Sequence, residues 1–452
     1  MAKADRDAVL RARKRVPPPG GALLEDTEKM KQKHHRMLCA FCALVILVST
    51  VFPTAAFAEQ PVDAAAAEQT LTRADAAEMQ QADAAVTVLT ESEQYQEMDT
   101  DARKDAALAQ LDTLAAKGLV EKDSIYADEE NGMVSFRYPC GVLGGILLTE
   151  PEDETLDEEN AETETASNAL SLRLPPDLGA EMQKSRAALL RRTENQAVEK
   201  FGTAVIYYAF DNTINSSRFP YYAYMQGFWS ALGLETKINI HVTVADLKKM
   251  GNYNVSVLSA HGSYYTYSYG KFLKRTRTEP IMLLTEESTF GKDLRYGFDL
   301  LAHRVIKVNG MYCVTSDFFR NAYKGGKLSN TIVYSETCEF LGVDGSEDNA
   351  MADALLSGGA QAVIGYVNNV YTVYSRSMLW DTINHLIMGQ NVGQALEHAK
   401  ATYGEDDLIW YHAQGGRRPH AAASYAVLYG NSQAALHVPE SNRSMFSADL
   451  AA

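Results

Sequence analysis

A cysteine and a histidine, each placed just past a short apolar run, are the residues in this chain best suited to covalent chemistry. The cysteine is Cys338, in TIVYSETCEFLG (331–342), and the histidine is His261, in NVSVLSAHGSYY (254–265). In both stretches β-branched and aromatic residues precede the reactive side chain, a composition that fits a buried strand. A free thiol, with a pKa near ~8.5, is mostly protonated at neutral pH and gains reactivity beside an imidazole. That imidazole can later protonate a leaving amine. Gly262 follows the histidine, and a backbone N–H unobstructed by a side chain is what an oxyanion hole requires. Either residue alone is ordinary, since free cysteine is among the most buried residue types. Their value depends on the elements that carry them.

Those elements alternate regularly. TAVIYYAF, TKINIHV, YNVSVLSA, QAVIGYV and SYAVLYG predict strands, while FPYYAYMQGFWSALGL and TVADLKKM predict helices, the second capped by Thr243. Short apolar strands alternating with amphipathic helices imply an α/β fold, a mainly parallel sheet sandwiched by helices. Ligands in such sheets bind beyond the carboxyl ends of the strands. Upstream, a smaller mixed α+β region is expected: a loose helix or spacer over 59–90, then a helix over 100–120 ended by Gly118. Two short strands with a glycine turn follow in GMVSFRYPCGVLGGILL. The expected organisation is a basic leader with an export segment (1–58), an accessory or pro-region (59–149) and an acidic linker (150–176). A main domain (177–435) and a tail (436–452) complete it. The linker core, EPEDETLDEENAETETASN, has no basic residue and lacks the glycine and ligand spacing of a calcium loop.

A chain of 452 residues with a 46% hydrophobic share can bury a core of ordinary size. Its formal charge of −16 argues against nucleic acid as a partner. KQKHHR, then the apolar run LCAFCALVILVSTV (38–51), then Ala56-x-Ala58 is the pattern of an export signal. If that signal stays uncleaved, residues 38–58 offer a membrane anchor. Either way the rest of the chain is expected to be secreted or at the cell surface. Cys140, Cys313 and Cys338 then remain, an odd number. Pairing Cys140 with Cys313 would leave Cys338 free, on arithmetic alone.

In order along the chain, VLSAHG (257–262), IVYSETCE (332–339) and MADALLSGGAQAVIGYVNNV (351–370) resemble the caspase-like cysteine peptidases, gingipain branch. WDTINHLIMGQNVGQALEHAK (380–400) and SYAVLYGN (424–431) extend the likeness over roughly residues 200–432. The resemblance implies hydrolysis of peptide bonds in protein or peptide substrates, with no cofactor and no metal in the chemistry. By the same resemblance Cys338 is the nucleophile, His261 the general acid and base, and the N–H groups of Gly262 and Cys338 the oxyanion donors. A charged residue at the pocket floor sets specificity in that family. Asp211, past the first main strand, is placed to select Arg or Lys, and Asp317 and Asp344 compete with it; a turn or capping role is the alternative for Asp211. The chain departs from the family in the acids flanking its cysteine, Glu336 and Glu339, which would oppose a thiolate. It also ends its last strand in Gly430-Asn431-Ser432. The alternative function is a surface binding protein on the same fold, with the dyad unused. Two basic clusters, Arg191-Arg192 and Lys274 with Arg275 and Arg277, are expected as processing sites.

Overall fold

The structure is a computed structural model that describes residues 70–148, 178–193, 198–210, 220–270, 274–408 and 423–446. All of these belong to one unit, Val62–Ala452. The strands are β1 (Tyr126–Asp128), β2 (Met133–Arg137), β3 (Leu143–Leu147), β4 (Gly202–Ala209) and β5 (Leu234–Asn239). Then come β6 (Val255–Ala260), β7 (Gly262–Tyr269), β8 (Arg275–Glu287), β9 (Val305–Val308) and β10 (Met311–Thr315). The last are β11 (Ile332–Ser335), β12 (Gly342–Val343), β13 (Ser346–Glu347), β14 (Ala362–Val367) and β15 (Tyr425–Gly430). Helices α1 (Arg73–Thr90), α2 (Glu93–Gln96), α3 (Thr100–Ala116), α4 (Leu178–Thr193), α5 (Pro220–Ala231) and α6 (Val244–Leu247) fall in the first part. Helices α7 (Phe290–Leu301), α8 (Ser316–Ala322), α9 (Ala350–Ser357), α10 (Thr372–Ile387), α11 (Val392–Tyr403) and α12 (Glu440–Phe446) follow.

One sheet has the order β15-β14-β11-β6-β4-β5. Its pairs are parallel except β14 with β15. Alternation along the strands buries both faces. Ile206, Val257, Tyr334 and Ile364 enter a core with Trp229 of α5, Ile383 of α10 and Leu396 of α11. Val205, Leu258, Val333 and Val363 enter the other core, with Leu355 of α9. Four of the predicted strands, β4, β6, β11 and β14, are thus the central ones.

A second sheet was not expected from the sequence. Its order is β1-β2-β3-β9-β10-β8-β7, and only the β3–β9 pair is parallel. It draws strands from both the expected accessory region and the expected main domain. Residues 70–148 are therefore not a separately folded piece. Met282, Leu284, Val305, Tyr312 and Val314 of this sheet share a core with Val205 and Leu258 of the parallel one. The fold is α/β with one mainly parallel and one mainly antiparallel sheet.

Residues 73–90 form a defined helix rather than a loose one. Thr72 and Asp75 build a capping box at its start, and Ala76, Met79, Ala82 and Val86 are buried along one face. Helix α6 begins with a second such box, Thr243 with Asp246, as the sequence suggested. Gly118 ends its helix with φ +74°, a left-handed conformation that glycine adopts freely.

Other expectations are corrected or lie outside the description. Cys140, Cys313 and Cys338 are all free thiols, so no Cys140–Cys313 bridge forms. Arg275 and Arg277 belong to β8, paired with Tyr269 and Tyr267 of β7. Arg277 also meets Glu279 (3.5 Å) and Asp317 (3.4 Å). Backbone held in a ladder does not extend into a protease cleft, so this cluster is poorly placed for a processing cut. The leader, the apolar run 38–51, the acidic linker and the side chains of Arg191 and Arg192 lie outside the described residues. Among the described residues no helix is long and apolar enough to cross a membrane.

Candidate active site at the junction of the two sheets

His261 occupies the single residue between β6, in the parallel sheet, and β7, in the antiparallel one. Strand register determines what lies beside it. Ala209 pairs with Ala260 across β4–β6, and Ser335 pairs with Leu258 across β6–β11. The Glu336 N–H still donates to the Leu258 carbonyl at 2.7 Å, so the pairing persists past the end of β11. Phe210 and His261, each one residue past a paired position, therefore lie side by side, and Cys338 follows two residues after Glu336. Neighbouring strands are about 4.8 Å apart.

Contacts agree with that alignment. The Phe210 and His261 rings meet edge to face, with centroids 4.6 Å apart. A Cβ added at Gly262 would stand 2.1 Å from the Cys338 carbonyl oxygen and 2.5 Å from Thr337 Cγ2. Only glycine allows the two chain segments to approach this closely. A β-branched residue at Gly262 would therefore not act on catalysis alone. The collision is with backbone, so folding and activity would fall together.

The ladder also orients the Gly262 N–H. The Leu283 N–H donates to the His261 carbonyl at 2.9 Å, making His261–Leu283 a hydrogen-bonded pair. Antiparallel alternation then makes Gly262–Met282 a non-hydrogen-bonded pair, with the Gly262 N–H turned away from β8. Two residues on, the Tyr264 N–H faces the same way and meets the Glu339 carboxylate. The open edge of β7 therefore faces the Cys338–Glu339 segment, and the Gly262 N–H with it.

The sulfur itself is half-buried. The Val370 N–H points at Cys338 Sγ from 3.4 Å, while the Val370 carbonyl lies 3.9 Å away. The loop thus offers the sulfur one backbone donor and one backbone acceptor. The donor is the closer of the two. Val370 belongs to a loop that sequence reasoning overlooked. Asn368, at φ +68°, opens it; its carbonyl accepts from the Glu339 N–H (2.9 Å) and its Oδ1 from the Gly345 N–H (3.0 Å). Buried Asp407 secures the far side, accepting from the Tyr371 N–H (3.2 Å) and the Ser424 N–H (2.9 Å). The signal was the Asn368-Asn369 pair after a strand, because asparagine tolerates left-handed backbone.

The acids flanking the cysteine are less hostile than their positions suggested. Glu336 turns into the core, accepting from the Tyr222 hydroxyl (2.9 Å) and the Ser375 hydroxyl (3.4 Å). Burial raises its pKa to about 6, against the pull of Arg376 and these hydroxyls. Burial, reinforced by Asp344, raises Glu339 to about 7, and the Tyr264 N–H opposes that rise. Near neutral pH Glu339 is therefore partly neutral, and Glu336, largely ionised, is turned into the core towards Arg376, which reduces their opposition to a thiolate. Asp317 is engaged with Arg277 and Arg320, and Asp344 occupies the turn between β12 and β13 at φ +53°. Asp211 lies outside the described residues.

No family model matches the chain, and no curated protein matches it. The geometry of the site carries the functional argument.

Glu339 yields a test of this electrostatic picture. Its carboxyl is protonated more readily when folded than when unfolded, so its favourable contribution is complete below about pH 4.5. That contribution is lost as pH rises through about 7. Glu339→Gln keeps an acceptor for the Tyr264 N–H and cannot ionise. Its stability relative to wild type should rise by about 1–3 kcal/mol between pH 4.5 and 8. Denaturant unfolding at the two pH values measures this, and a difference that does not change with pH contradicts the burial assigned to Glu339.

Proposed function

We propose that this chain is a caspase-like cysteine peptidase of gingipain type, exported from the cytoplasm, that cleaves peptide bonds through Cys338 and His261. The observation that best supports this reading is the close approach of Gly262 to the Cys338 carbonyl. It joins the His-Gly and Cys segments at the carboxyl edge of one parallel sheet. Export rests on the basic flank, apolar run and Ala-x-Ala sequence before residue 59.

In this mechanism His261 takes the proton of the Cys338 thiol, and the sulfur attacks the scissile carbonyl carbon. A C–S bond forms and the carbonyl oxygen becomes an oxyanion, held by the N–H groups of Gly262 and Cys338. The intermediate collapses, the C–N bond breaks, and the leaving amine takes the proton from His261. Water, deprotonated by His261, then attacks the thioester and releases the acid and the thiol.

A peptide-based electrophile that alkylates thiols tests the reading. In the full chain with Cys39→Ser and Cys42→Ser, labelling should be confined to Cys338, be absent once Cys338→Ala is added, and be strongly slowed by His261→Ala. Cys313 is fully buried, and burial raises the pKa of both Cys140 and Cys313, so neither should compete. A folded protein that neither labels nor cleaves a peptide library is the surface binding protein instead.

A further inference from the structure

Helices α10 and α11 bring together three side chains that the peptidase reading does not use. Asp381 and His385 lie one turn apart on α10, and His398 faces them from α11. His398 Nδ1 is 2.7 Å from Asp381 Oδ2, and His385 Nε2 is 3.7 Å from Asp381 Oδ1. The two imidazole rings lie 3.7 Å apart between centroids, tilted by 34°. One ligand atom from each of the three residues falls within 4.8 Å of the others.

We propose that Asp381, His385 and His398 bind a divalent transition-metal ion of the zinc class, pinning α10 to α11. Two imidazoles and a carboxylate are a donor set suited to such an ion, whereas calcium and magnesium prefer oxygen alone. A second observation points the same way. His385 is only 3% exposed, yet its Nδ1 has no hydrogen-bond partner in good geometry among the described residues. The Gln390 side chain lies beside this ring. Ligation through Nε2 would place the proton on Nδ1, and Gln390 beside the ring is the side chain able to accept it, the usual outer-shell arrangement of a metal-bound histidine. The His398 side chain is 44% exposed and forms the rim through which an ion enters. Three protein ligands leave one position for water.

The test uses the full chain carrying Cys39→Ser, Cys42→Ser and Cys338→Ala, so that neither the Cys-x-x-Cys pair of the leader nor the active-site thiol competes for metal. The protein is stripped with a chelator and titrated with Zn²⁺ alone by calorimetry, and with Co²⁺ alone by visible absorption. One equivalent of Zn²⁺ should bind and raise Tm by several degrees, and Co²⁺ should develop the ligand-field bands of a four-coordinate site. Adding His398→Ala, at an exposed position, should abolish the equivalent and the Tm rise while leaving the metal-free Tm as it was. Asp381→Asn, which keeps side-chain volume, should weaken binding at least tenfold and serves if the first variant folds poorly. No bound equivalent in the parent, or binding unchanged in both variants, overturns the proposal.

Discussion

His261→Ala should hydrolyse peptides about 10²–10⁴-fold more slowly than wild type at neutral pH, the usual contribution of a positioned acid–base group. Its folding should be nearly unaffected. His261 is only partly buried, and its edge-to-face packing on Phe210 is worth little compared with a core contact. The loss should shrink towards pH 9, where solvent base can take the thiol proton in place of the imidazole. Combining His261→Ala with Cys338→Ala should be no worse than Cys338→Ala alone, because residues acting as a unit lose activity once. Steady-state rates from pH 6 to 9 on the three variants measure this. A His261→Ala protein with wild-type turnover at pH 7 would remove the dyad from the mechanism.

Lys307→Met should destabilise the protein by about 3–5 kcal/mol, the expected cost of breaking a buried ion pair by removing one partner. The Lys307 side chain is fully enclosed on β9, with Nζ 2.5 Å from Asp83 and 2.9 Å from Asp293. Tyr138 and Ser288 also donate to Asp83, and Tyr312 and Gln80 to Asp293. Without the ammonium, two buried carboxylates face each other with only neutral donors around them. One must take up a proton or the site must open. The deficit should therefore narrow at acid pH. Asp83→Asn, which leaves one cation facing one anion, should cost less. Denaturant unfolding at pH 7 and pH 5 measures both; a loss below about 1 kcal/mol for Lys307→Met would mean that water reaches the cluster.

Much of the parallel sheet was legible because its strands are short, apolar on both faces and bounded by turn residues. Cys338 and His261 could be assigned to one edge for the same reason: each follows a strand that runs in the same direction. Of the antiparallel sheet only β2 and β3 were legible, as two short strands around a glycine turn, and the rest was hidden. Strand β8 starts in RTRTE and contains Pro280, so its first half looks like a charged loop. Nothing local to β3 indicates that its partner is β9, since that pairing joins Gly144 to Lys307. The buried face of α1 mixes Ala76, Met79, Ala82 and Val86 with the acid Asp83, which gives too weak an apolar stripe to recognise. Lys307, read from RVIKVNG, looks like an outward residue on a strand; only the distant Asp83 and Asp293 explain its burial. Val370 escaped notice for a different reason. It acts through its backbone N–H, a group every non-proline residue carries.

The parallel pairing of β3 with β9 dictates an order of assembly. During synthesis, β1 to β3 emerge long before residues 305–308, and until then Leu143 and Ile146 have no sheet to complete. Closing so long a loop is slow relative to forming local contacts. Residues 70–148 should therefore persist as a partly ordered intermediate with exposed apolar strands, the kind of species that chaperones capture. A nascent chain stalled before β9 should remain open to protease across β2 and β3, and one extended beyond β10 should become resistant there.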